Sequence, residues 1–68
     1  MEKAELIKLV QNGMEIYATS YETERDIAKN LDIEMSEVRY VGRYDGSNFE
    51  YNDMEFLDGD MIHVIERG

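Results

Sequence analysis

The step Asn12-Gly13 decides what the opening of this chain can become. Two adjacent residues that tolerate positive φ sit between the apolar runs "LIKLV" and "MEIYATS". Such a pair is the strongest short-range signal for a type I′ hairpin. With Asn12 and Gly13 as the loop, Gln11 stands opposite Met14, Leu9 opposite Ile16 and Ile7 opposite Ala18. That register puts Ile7, Leu9, Met14, Ile16 and Ala18 on one face. Leu6, Val10 and Tyr17 fall on the other, a second apolar face with more carbon than a solvated surface needs. The same letters support a rival. "EKAELIKLVQNG" is rich in strong helix formers, and Asn-Gly is also a helix stop.

"TERDIAKNLDI" is the clearest helix, since Thr23 followed three residues later by Asp26 makes a start resembling a capping box. Ile27, Ala28 and Leu31 give it a narrow apolar stripe. Residues 32–37 turn the chain. "VRYVGRY" then reads as a strand with Gly42 at a bulge, and "DGSN" as a turn. "FEYNDMEF" reads as irregular or a short edge strand, and "LDGD" as a tight turn into "MIHVIER". In that last strand Ile62 and Val64 point inward, so Met61, His63 and Ile65 point outward. The pattern predicts one α+β domain over residues 1–68, a mixed sheet of four or five strands packed on one helix. Its first and last strands run parallel at the centre.

Zero Cys removes disulfides and Cys-based zinc sites as props for so short a chain. Apolar and aromatic residues at 43% suffice for a core. Sixteen acids against seven bases give a net charge of −9, a field that repels nucleic acid and anionic membranes and favours a basic protein partner. The charge is uneven: between Arg43 and Arg67 no Lys or Arg occurs, while Asp45, Glu50, Asp53, Glu55, Asp58 and Asp60 form an acidic surface, with Glu66 beyond them. No stretch is apolar enough for a signal peptide or membrane span, which makes the cytoplasm the default. A monomer or weak dimer is expected.

The segments "AELIKLVQNGMEIYATSYETERDIAKNL", "VRYVGR" and "LDGDMIHVIER", in this order, resemble the ubiquitin-like β-grasp family, including its bacterial and sulfur-carrier members, over nearly the whole chain. The resemblance implies a non-catalytic protein–protein interaction module. It also implies a recognition patch at Tyr40, His63 and Ile65, beside Gly42 and Met61. Tyr40 stands where the family has a smaller aliphatic residue. Carriers in that family end in a Gly-Gly tail activated at its carboxylate. Here Gly68 stands alone after Arg67, which suits a strand end better than a tail threading a narrow channel.

Other chemistry is sought without success. "DGSNFEYNDMEF" offers oxygen ligands, but the sixth and twelfth positions of a calcium loop hold Glu50 and Phe56 rather than Gly and Glu. His63, the only histidine, has no nucleophile or orienting carboxylate beside it in sequence. No nucleophile elbow, phosphate loop or zinc-binding helix motif occurs. The expectation is therefore no enzyme, no metal and no cofactor. Three alternatives stay open. One is a winged helix, with "EKAELIKLV" as first helix, a recognition helix carrying Arg39 and Arg43, and "MEFLDGDMIHVI" as wing. Another is an acidic inhibitor of phage type that imitates nucleic-acid phosphates. The last is a modifier activated at Gly68.

Overall fold

At Asn12-Gly13 the helix wins. In the computed structural model, which describes residues 1–66, helix α1 runs Lys3–Gln11. Its end is a Schellman closure: Gly13, at φ 81°, donates its N–H to the Val10 carbonyl (3.0 Å), and Met14 donates to Leu9 (3.2 Å). The hairpin expected over residues 6–20 does not form, and its register of Ile7 against Ala18 is absent. The reason is packing. A helix buries Leu6 and half-buries Ile7, Leu9 and Val10 on one side, whereas the hairpin would have divided them between two faces.

Strand β1 (Glu15–Thr19) follows, then helix α2 (Glu24–Leu31). Thr23 and Asp26 form the expected capping box, with Asp26 N–H donating to Thr23 Oγ1 (3.4 Å) and Thr23 N–H to Asp26 Oδ2 (3.3 Å). Asp32 ends α2 in the left-handed region, and Ile33 N–H donates to the Ala28 carbonyl (3.0 Å). A single 3₁₀ turn, Met35–Glu37, leads into β2 (Val38–Arg43), which bulges between Tyr40 and Gly42 as the glycine suggested. The recognition helix of the winged-helix alternative is therefore not present, and Arg39 and Arg43 lie on a strand. "FEYNDMEF" is a true hairpin, β3 (Phe49–Tyr51) and β4 (Met54–Phe56). Its turn residues Asn52 and Asp53 both have positive φ (51° and 64°), the signature of a type I′ loop. β5 (Met61–Ile65) is last.

The main sheet has the order β1-β5-β2, with both pairs antiparallel. The expected parallel pairing of first and last strands is thus corrected. Once the leading segment is helical, the strand beside β5 is the one expected as the hairpin's returning arm, and it runs the opposite way. The register places Ile16, Ala18, Ile62 and Val64 on one face, and Tyr17, His63, Ile65, Val38 and Tyr40 on the other. α1 and the β3–β4 hairpin cover the first face, where Leu6, Ile16, Tyr44, Phe56 and Ile62 form one core. α2 covers the second, where Ile27 and Ala28 pack with Val38 and Ile65. The α+β class stands, with two helices rather than one and the sheet between them. Gly68 lies outside the described residues.

Candidate functional site

The outward face expected of β5 is closed. His63 is 0% exposed and Ile65 6%. The physical reason is position: β5 is the central strand, flanked by β1 and β2 and roofed by α2, so its two-residue alternation runs between two cores rather than between core and water. Met61 is half-buried between Thr19 and Arg43. Gly42 sits at the bulge, with Met1 alongside. Of the five residues in the expected patch only Tyr40 is open, at 43% exposure, and its ring leans on the His63 imidazole with centroids 5.3 Å apart.

Around His63 the structure gathers a buried polar group that the sequence had scattered. Tyr17 and Tyr40 are its register neighbours on either side. Glu24, the first residue of α2, brings Oε1 to 3.9 Å from Nε2. Among the described residues neither ring nitrogen has a hydrogen-bond partner, and neither has the buried Oε2 of Glu22. Burial pushes the His63 pKa below its ordinary value, against the opposing pull of Glu24 and then Glu22. Burial also raises the Tyr17 phenol, helped by the Glu22 charge. Burial thus favours the neutral imidazole. Its register row holds Tyr17 and Tyr40 rather than a serine or threonine. Among the described residues no three His, Asp or Glu side chains are placed to hold one metal ion.

The secondary apolar face expected from Leu6, Val10 and Tyr17 is divided. Leu6 is core, Tyr17 lies on the α2 side of the sheet, and Val10 opens onto a cleft. That cleft, about 120 Å³, lies between the last turn of α1, the start of β1 and the β3–β4 hairpin. Val10, Met14, Ile16, Tyr51, Met54 and Phe56 line it, with the Asn52 amide at the hairpin turn. Met14 is 38% exposed there. The sequence carried a signal for this site in Asn52-Asp53, a type I′ turn whose flanking Tyr51 and Met54 must share a face.

The acidic surface also resolves residue by residue. Asp60 is not on the surface: it is 5% exposed, and Oδ2 accepts the Leu57 N–H at 3.0 Å, closing the "LDGD" turn. Asp58 is exposed but accepts the Gly46 N–H (3.1 Å), tying two loops together. Asp45, Glu50, Asp53 and Glu55 remain open carboxylates. Glu50 and Glu55 face each other directly across the hairpin, a like-charge pairing that disfavours it. The two arginines of β2 are engaged within the molecule, Arg39 with Glu66 (2.9 Å) and Arg43 with the Gly59 carbonyl (2.7 Å). Among the described residues no helix is long and apolar enough to cross a membrane. No family model, curated protein or solved structure matches this chain.

Proposed function

We propose that this chain is a non-catalytic protein-interaction module that engages a basic partner through its β3–β4 side. The observation that carries the reading is the set of open carboxylates on the hairpin, Glu50 and Glu55 on one face and Asp53 at the turn, with the apolar cleft on the hairpin's other face. Apolar surface gives affinity on burial, and unpaired surface charge of one sign steers a partner of the other. A ubiquitin-like relationship is the less economical reading, because the strand beside the last one runs antiparallel to it. The His63 surroundings support the non-catalytic part, since a catalytic imidazole must reach a substrate proton.

The test is capture of binding proteins from a native lysate by the parent and by the Glu50→Lys/Glu55→Lys double variant, at several salt concentrations. Binding should weaken steeply as the screening length falls from about 30 Å to about 8 Å, and the double variant should lose it. Equal capture by both proteins, independent of salt, would assign these carboxylates to solubility alone.

A further inference from the structure

We infer that the β1–α2 loop (residues 20–23) and the first turn of α2 form a pH-sensitive lid over the sheet, which a proton on His63 lifts to uncover the aromatic row Tyr17–His63–Tyr40. The three rings share one register row across β1, β5 and β2. They lie on the α2 side of the sheet, away from the cleft beside the β3–β4 hairpin. His63 is wholly buried. The titratable groups that face it are Tyr17 from β1, Tyr40 from β2, Glu24 from α2 and Glu22 from the loop before α2.

With the lid closed, a charged imidazole has poor places for its two N–H groups. Glu24 Oε1, its ion-pair partner, stands 3.9 Å from Nε2, outside hydrogen-bond reach. Among the described residues neither nitrogen is hydrogen-bonded, whereas solvent would serve both. The closed lid also buries Glu22 Oε2 without a partner, a cost that opening removes. Burial lowers the proton affinity of the ring, outweighing the pull of Glu24 and then Glu22. The proton therefore favours the state in which the ring is hydrated.

The lid is the weakly held part of the roof. Tyr21 and Glu22 both donate their N–H to one acceptor, Thr19 Oγ1, at 3.4 Å each, beyond the usual hydrogen-bond distance. Thr23 bonds Asp26, within the lid itself. Farther along α2, Ile27 and Ala28 are buried and pack with Val38 and Ile65, which pins the rest of the helix. A segment with few buried apolar contacts opens at the lowest cost. Tyr40 stays in place, because its ring centroid lies 5.3 Å from that of the imidazole, close enough for a cation–π attraction once the imidazole is charged.

The experiment is NMR of the isotope-labelled full chain with a neutral gadolinium chelate in solution, which speeds the relaxation of protons it can approach. At about pH 7.5 the His63 ring protons should be as well shielded as the Ile62 and Val64 methyls. Below the ordinary histidine value of about 6.5, the open fraction should rise by up to about tenfold per pH unit. By about pH 5.5 relaxation of the His63 and Tyr17 ring protons should be enhanced severalfold, with Ile62 and Val64 unchanged. Glu24→Gln removes the larger pull on the proton, so its acid response should exceed the parent's. In His63→Phe the Tyr17 response should vanish. A Tyr17 response that persists in His63→Phe would overturn the proposal and assign the opening to carboxylates. Equal enhancement at Ile62 and Val64 would overturn it too, since the whole domain would then be opening. So would a His63 ring that titrates while staying shielded, with Glu22 and Glu24 closing on the charge, or one whose shielding does not change with pH. Should His63→Phe not fold, Glu24→Gln decides alone: an acid response no larger than the parent's overturns the lid.

Discussion

At the scale of single residues, Gly13 holds a conformation and His63 a proton affinity that the fold imposes. Gly13 adopts a φ of 81° to close α1, and a Cβ there would meet nothing within 4 Å. Gly13→Ala is therefore a test of backbone strain without a clash. It should cost roughly 1–2 kcal/mol, the penalty of a left-handed conformation for a side-chain-bearing residue, read as a lowered urea midpoint with an unchanged slope. His63 is the second. Its pKa is lowered on folding, chiefly by burial and against the pull of Glu24 and Glu22, with Tyr17 and Tyr40 on its flanks. The folded state thus binds this proton less readily than the unfolded state. Its contribution to stability is complete above the ordinary histidine range of about 6.5 and declines as pH falls below it. Urea midpoints at about pH 7.5 and about pH 5.5 should show a drop for the parent that is smaller in His63→Phe, which fills the same space without a proton site. An equal drop in both would assign the acid sensitivity to carboxylates.

At the scale of elements, the hairpin and the helix ends explain what was legible in the letters. α2 could be read because its capping box and its apolar stripe agree, two signals at one place. α1 could not be decided, since Asn-Gly serves a type I′ loop and a Schellman closure equally, and only the shared burial of Leu6, Leu9 and Val10 chooses. "FEYNDMEF" reads as irregular or a short edge strand rather than a hairpin because its turn is Asn-Asp, where both residues bear a side chain in the left-handed region. The misplaced patch on β5 has a different cause. Alternation tells which residues share a face, but whether that face meets water depends on a second helix elsewhere in the chain. Two element-scale predictions follow from these contacts. Thr23→Ala removes the α2 cap and should cost about 1 kcal/mol, seen as a lower thermal midpoint. Glu55→Lys turns a like-charge pair into an opposite one. It should stabilise the hairpin by roughly 0.2–1 kcal/mol while weakening a basic partner, so stability and binding should move in opposite directions in one variant.

At the scale of the whole molecule, two small cores share one sheet, and neither is expendable. A domain of this length has about 3–10 kcal/mol of stability, at roughly 0.05–0.15 kcal/mol per residue. Truncating one buried aliphatic residue costs about 2–5 kcal/mol. Ile65→Ala, in the core beneath α2, should therefore remove a large fraction of the total, as should Ile62→Ala in the core beneath α1. Tyr40→Ala, at a half-open edge position, should cost much less. Circular dichroism melts of the three variants would rank them. If Ile65→Ala melted with Tyr40→Ala, β5 would be open to water on that side and the α2 core would be misassigned.

The place of β5 also orders events in time. It follows β1 and β2 along the chain, and both of them need it. α1, β1, α2 and β2 all precede the strand that joins β1 to β2, and Glu15 pairs with Ile65 far along the chain. Closing loops that long is slow relative to local helix formation. Until β5 docks, β1 and β2 present unfilled strand edges, the template on which neighbouring chains stack. A net charge of −9 opposes such stacking until β5 takes its place.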